Sequence, residues 1–362
     1  MLTRRTLLAG TSGLMLAKGH GRAAARVESL AHLAARSGRF FGSSLTSSDV
    51  DGNGAYAALL EAECNVWVPE WQLKWGALAS ERSGKPDFRA VDAIVAAAQR
   101  HGKAVRGHTL LWHEHLPVGV ETLSTSGDWS DVIVPHILDV ATHYRGRIFQ
   151  WDVVNEAIEP EDGNADLMRQ TPFYRMLGAD YVAEAFRLAH EAAPDARLYL
   201  NDYAVCYAER YQERRRTGVL RLLERLLGQG VPVHGFGIQG HLDTRRHFDA
   251  DVFQRFLREL EGLGLELAIT ELDVREADNA DGLDISGRQK RAADEVRKVL
   301  SVALDSPALT GVVTWALADH ESWLRKKGDI PDNQGLPYDD RLRPTPMRGA
   351  LAQLFAAARP RA

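Results

Sequence analysis

Trp151-Asp152-Val153-Val154-Asn155-Glu156 is an apolar, β-branched run that ends abruptly in an amide and a carboxylic acid. A short run of this kind reads as a buried parallel strand, and in barrel folds the residues just past a strand's C-terminal end carry the chemistry. A second such ending follows at Ile269-Thr270-Glu271-Leu272-Asp273, far enough along the chain for several strand–helix units to intervene. One strand-end glutamate could merely cap its strand or pair with an arginine. Two on the same rim point to acid/base and nucleophile work.

Strand-like segments are expected near 39–44, 64–68, 103–111, 149–155, 196–202, 234–239, 266–272 and 311–317. Amphipathic helical patterns follow at 55–62, 88–101, 131–144, 179–192, 208–228, 249–262, 286–304 and 346–357. Eight alternating units predict an α/β fold of the (β/α)8 TIM-barrel type, in one catalytic domain spanning 26–362, rather than an open sheet. Turn chemistry at Gly228 to Pro232, Gly262 to Gly264 and Ser306-Pro307 separates helices from strands, and no stretch has the composition of an interdomain linker.

The chain has 362 residues, 45% of them apolar and 26% charged, with a net charge of -5. This balance suits a soluble domain with ample core and lacks the basic footprint of a nucleic-acid binder. Cys64 and Cys206 cannot form a disulfide framework and are expected to be free buried thiols. Residues 1–25 read as an export signal. Thr3-Arg4-Arg5-Thr6-Leu7-Leu8 is followed by an apolar run to Ala17 and small residues at Ala23-Ala24-Ala25. The paired arginines resemble a twin-arginine signal, which implies a folded protein delivered to the periplasm or the exterior. The apolar run is too short to span a membrane.

The strand ends would place Glu70 and Lys74, then His108, Trp112 and His113, then Asn155 and Glu156 on one rim. Asn201, Asp202 and Tyr203, Gln239 and His241, Glu271 and Asp273, and Trp315 with Trp323 complete it. Indoles and a phenol beside amides, imidazoles and two acids make a surface that stacks on sugar rings and bonds their hydroxyls. With two carboxyls and no nucleotide-binding loop, glycosidic-bond hydrolysis without a cofactor is the economical chemistry. A metal site from His108, His113, Glu114 and His115 is the main rival. Its spacing lacks a His-Glu-x-x-His helix, and strand alternation would keep His108 and His113 on opposite faces unless the strand is broken.

These segments resemble glycoside hydrolase family 10, the retaining endo-1,4-β-xylanases. The resemblance rests on Pro69-Glu70 with Lys74-Trp75, Arg106 to His113 with Leu116-Pro117, Trp151 to Glu156, and Asn201-Asp202-Tyr203. It continues through Gly237 to Leu242, Thr270 to Asp273, and Thr314-Trp315 with Asp319 and Ser322-Trp323. It implies that Glu156 is the acid/base, with Asn155 bonding the adjacent sugar hydroxyl. Glu271 would be the nucleophile, oriented by His241, which Asp273 holds. It further implies a xylan or xylo-oligosaccharide partner met by Glu70, Lys74, His108, Trp112, His113, Tyr203, Gln239, Trp315 and Trp323, and a monomer. The chain departs from the pattern at one outer subsite, where Trp71 stands for an asparagine and His115 for a glutamine. Ala316 stands for a glycine, a change with no evident consequence in sequence. The altered subsite leaves room for a related β-glycosidase acting on short oligosaccharides or another β-glycoside. A non-catalytic carbohydrate-binding relative is the reading from outside the enzymes, and it is disfavoured because both glutamates are present.

Overall fold

A computed structural model describes residues 28–50, 54–79, 85–276, 282–328 and 330–361; the export-signal reading of residues 1–25 lies outside them. The β-branched runs are buried as strands: β1 (Phe40–Leu45), β2 (Val66–Pro69), β3 (Ala104–Leu111), β4 (Gln150–Asn155), β5 (Arg197–Asp202), β6 (Gly235–Ile238), β7 (His241–Asp243), β8 (Glu266–Arg275) and β9 (Leu309–Thr314). All pairings are parallel. The order β6-β5-β4-β3-β2-β1-β9-β8 closes through a further β6–β8 pairing, so these eight strands form a barrel and β7 adds only to the upper half of β8.

Helices Ala55–Glu63, Arg89–Arg100, Val134–His143, Asp180–Ala192, Arg210–Gly228, Ala250–Gly262, Ile285–Asp305 and Pro346–Ala357 alternate with the barrel strands. Two of these helices start at side chains that accept otherwise unpaired N–H groups. Asp249 accepts from Asp251 and Val252, and Asp284 from Gly287. The apolar stripe of each helix meets the outer face of the barrel in one continuous core. Cys64 and Cys206 are both buried and unbridged.

Glycines admit bulky neighbours at two points that matter for the site. A Cβ on Gly107 would lie 2.3 Å from the fully buried ring of Trp151. A Cβ on Gly237 would lie 2.1 Å from Oδ1 of Asn201, whose side chain occupies the space the glycine leaves open.

Three details differ from the expectation. The last strand ends at Thr314 instead of continuing to 317, because Ala316 adopts a left-handed backbone with φ 80°. Ala316 therefore has a consequence that sequence did not reveal: a Cβ in this conformation costs about 1–2 kcal/mol, which a glycine would avoid. β8 runs past 272 to Arg275 because β7 pairs with it, His241 opposite Asp273. Finally, the β3–β4 register shifts between His108 and Leu111, an irregularity within the strand that strict alternation does not anticipate.

Candidate active site

The strand ends surround a cleft of about 650 Å³ lined by Glu70, Trp71, Lys74, His108, Trp112, His115, Asn155, Glu156, Tyr203, Gln239, His241, Glu271, Asp273, Trp315 and Trp323. Of the residues expected on the rim, His113, Asn201 and Asp202 stand behind this surface, the His113 Nδ1 4.0 Å from Oε2 of Glu156.

Backbone pairing at the tops of the strands sets where the acids stand. The Glu156 N–H donates to the Asn201 carbonyl at 2.8 Å, and the Glu271 N–H donates to the Gln239 carbonyl at 2.7 Å. Asn155 and Asn201 are register partners in β4 and β5. Asn201 Nδ2 consequently donates both to Asn155 Oδ1 and to Glu271 Oε1, each at 2.8 Å. Thr270 Oγ1 donates to Asn201 Oδ1 at 2.7 Å and fixes the orientation of the amide. Asn201 thus ties the two strand ends together. Its presence on the rim was legible from sequence, but its double contact depends on a register that sequence does not reveal.

Glu271 is buried among donors. His241 Nε2 lies 3.3 Å from Oε2 and His108 Nδ1 lies 3.9 Å from Oε1. Burial alone would raise the carboxyl pKa, yet His108, His241 and Asn201 outweigh it and bring the value down to about 2. His241 Nδ1 meets Asp273 Oδ1 at 2.9 Å. Burial disfavours the charged imidazole, but Asp273 and Glu271 together raise its pKa to about 10. At neutral pH His241 is therefore an imidazolium donating from both nitrogens, in keeping with the expected chain in which Asp273 holds His241 and His241 orients Glu271. Trp323 Nε1 donates to the other oxygen of Asp273 at 2.5 Å. Deeper in the barrel a fully buried ion pair between Arg106 and Asp152 supports His108, whose Nδ1 lies 2.9 Å from Asp152 Oδ2. Removing one member of such a pair is costly because the other is left charged and dry.

Glu156 has a different environment. Gln239 Nε2 donates to Oε1 at 2.9 Å, and Asn155 Nδ2 lies 3.4 Å from the same oxygen. Burial raises its pKa and the negative Asp202 and Glu271 add to the rise, while the Gln239 amide donor opposes it. His113 is held down to about 3 by burial and by Arg169 and Arg215, so it is neutral beside Glu156. The site therefore holds one ionised carboxyl and one whose proton is retained more tightly than usual, the arrangement needed for a nucleophile and a proton donor.

At one end of the cleft Trp71 is 46% exposed and meets the His115 ring edge-on, with centroids 4.3 Å apart. Lys74 Nζ lies 5.5 Å from the Trp71 ring and 4.7 Å from that of Trp112. Burial lowers the Lys74 pKa, against the pull of Glu271, Glu70 and Glu156. Burial likewise raises that of Glu70. Trp315 packs edge-on to His108 at 5.1 Å, and Tyr203 lies over the Arg215 guanidinium at 3.8 Å. Among the described residues no group of three or more His, Cys, Asp or Glu side chains is arranged to hold a metal ion.

The family model for glycosyl hydrolase family 10 matches residues 29–354. Endo-1,4-beta-xylanase 3 of Hypocrea jecorina is 32% identical over 297 residues, covering 82% of this chain and 78% of the relative. A beta-1,4-xylanase of Dictyoglomus thermophilum is 33% identical over 278 residues, 74% of this chain and 75% of the relative. Among solved structures, native xylanase 10B from Thermotoga maritima superposes with a TM-score of 0.80 at 30% identity, covering 90% of this chain and 98% of that one. Xylanase 10B from Thermotoga petrophila in complex with xylobiose gives the same score and identity, covering 90% and 97%.

Proposed function

The chain belongs to glycosyl hydrolase family 10, and from that premise we propose that it hydrolyses internal β-1,4-xylosidic bonds of xylan or xylo-oligosaccharides with retention of anomeric configuration. The observation that carries the reading is the opposed pKa shifts of two carboxyls on one cleft: Glu271 with its pKa brought down to about 2, Glu156 with its own raised. In the first step the Glu271 carboxylate attacks the anomeric carbon and forms a glycosyl ester. Glu156 gives its proton to the departing glycosidic oxygen. The negative charge of Glu271 is then gone, so Glu156 is the more readily ionised. It takes a proton from water, whose oxygen attacks the same carbon and releases Glu271.

Around these steps the other residues have distinct parts. His241, charged and held by Asp273, keeps Glu271 ionised and oriented. Asn155 and Gln239 present amides beside the reacting carbon, and Trp315 and Trp323 offer faces for sugar rings. Digestion of plain and decorated xylan, with products resolved by length and the first-formed anomer read by proton NMR, tests the proposal. A mixture of short β-configured products is expected. An initial α-anomer would refute retention, and absence of cleavage would refute the enzyme reading.

The exposed Trp71 beside His115 favours a narrower second reading, in which the same chemistry is directed to short xylo-oligosaccharides because the outer wall binds by stacking instead of hydrogen bonding. Export by a twin-arginine route is proposed from Arg4-Arg5 and the apolar run that follows. Fusing residues 1–30 to a reporter that must fold in the cytoplasm would test it, and Arg4→Lys with Arg5→Lys should block delivery.

A further inference from the structure

The loop after β4 folds back beneath Glu156. Glu159 N–H donates to the Leu167 carbonyl at 2.9 Å and Arg169 N–H to the Ala157 carbonyl at 2.8 Å, while Ile158 and Met168 form an antiparallel bridge. This hairpin brings Arg169 to the site, although nothing in its sequence context marks it as a site residue. Its Nε donates to the main-chain carbonyl of Glu156 at 2.9 Å, and Nη2 donates to the Tyr203 hydroxyl at 2.9 Å.

Those contacts fall on a strained residue. Glu156 has φ 59°, the left-handed region that a residue with a Cβ occupies only when its surroundings hold it there. Its N–H is fixed by the Asn201 carbonyl, and its own carbonyl is fixed by Arg169. The competing explanation is that Arg169 is there to pair with Glu159, 3.4 Å away. Glu159 is already supplied by the Tyr211 hydroxyl at 2.9 Å and by Arg215 at 3.4 Å, so it does not depend on Arg169.

We infer that Arg169 is a positioning residue for Glu156: it pins the left-handed main chain that aims the carboxyl, and sets a permanent positive charge beside the anion formed when Glu156 releases its proton. The inference rests on the acid/base reading of Glu156. The charged and titratable groups facing that carboxyl are Asp202 from β5, Glu271 from β8, His113 after β3, Lys74 after β2, and Arg169 itself. His113 is neutral, so it cannot replace the lost charge.

The test compares Arg169→Met, Arg169→Lys and Glu156→Ala on xylotriose, whose leaving group needs a proton, and on an activated aryl xylobioside, whose leaving group does not. Arg169→Met is expected to lower kcat/KM on xylotriose about 10- to 100-fold, as small misplacements of catalytic groups do. The loss on the aryl substrate should be much smaller. The basic limb of the pH profile should move upward, because removing a positive charge favours the protonated carboxyl. Arg169→Lys should keep the limb near its original pH yet recover only part of the rate, since an ammonium cannot span both the carbonyl and the Tyr203 hydroxyl. If the Met variant does not fold, the Lys variant carries the test through the same substrate split. Equal losses on both substrates with an unmoved limb, or a lowered melting temperature with unchanged kinetics, would overturn the inference. If Glu156→Ala itself lacks the substrate split, it is the acid/base reading that fails.

Discussion

At the floor of the cleft, Glu271 is held by hydrogen bonds from Asn201 and His241, and His241 in turn by Asp273, every carboxylate of the set being buried. At the outer wall, Trp71 is nearly half exposed and contacts its neighbours through ring edges and the Lys74 ammonium. The floor is directional and charged, so small displacements there change protonation and aim. The wall is apolar and broad, so it can exchange one kind of sugar contact for another at modest cost. The floor keeps the residues that the family resemblance implies, and the departures at Trp71 and His115 both lie in the wall.

The largest effect should come from the floor. Glu271→Ala is expected to reduce turnover of xylan by about 10⁴-fold or more while leaving the folded structure intact, because the attacking group is lost from a rim position. Circular dichroism with steady-state assays checks this, and azide should restore part of the activity by occupying the vacated space. Retention of near wild-type rates would mean that floor and wall do not differ in the way described.

Glu156→Ala should be selective. On xylo-oligosaccharides kcat/KM should fall by about 10²- to 10⁴-fold, the usual range for loss of a general acid, and far less on activated aryl xylosides. The basic limb of the pH profile should disappear.

A wall residue should give a smaller effect that depends on chain length. Trp71→Ala is expected to lower kcat/KM on xylotriose and longer chains by roughly 10- to 200-fold, with little change on aryl xylosides too short to reach it. A rise on long chains would mean that the indole blocks the wall instead of stacking there. An unchanged dependence on length would leave Trp71 without a role in binding.

Smallest of all is a change at Ala316. With φ 80° its Cβ is strained, and its N–H donates to Ser44 Oγ at 2.9 Å, which holds the turn after β9 in place. Ala316→Gly relieves the strain but adds freedom to the unfolded chain, so a net gain of about 0.5–1 kcal/mol in stability is expected with unaltered kinetics. Denaturant titration measures it, and a loss of stability would show that the turn is not strained.

Much of this arrangement is legible in the residues themselves. Val153-Val154 before Asn155-Glu156, and Ile269-Thr270 before Glu271, mark strand ends because buried parallel strands read as apolar runs that stop at polar groups. Alternation of such runs with amphipathic segments suffices for a barrel. What sequence left obscure depends on contacts across the chain. The pairing of His241 with Asp273 is implied by the family resemblance alone, since the three-residue strand that makes it is too short to have a pattern, and the double contact of Asn201 comes from register. The register shift between His108 and Leu111 is an irregularity in β3 that strict alternation cannot anticipate. Arg169 reaches Glu156 only through a loop that doubles back, and Ala316 shows its strain only as a backbone angle.

The central claim is that two similar strand-end glutamates have their pKa values shifted in opposite directions, and carboxyl-selective ¹³C NMR titration addresses it most directly. Spectra would be recorded on the free protein and after Glu271 is capped by a slowly turning over 2-fluoro xylobioside, with the Glu156→Gln and Glu271→Gln variants assigning the signals. The account predicts that Glu271 titrates at about 2 and Glu156 above the ordinary value of 4.5, and that the Glu156 value falls once Glu271 is capped. Two carboxyls titrating together near 4.5, or a Glu156 value unmoved by capping, would contradict it.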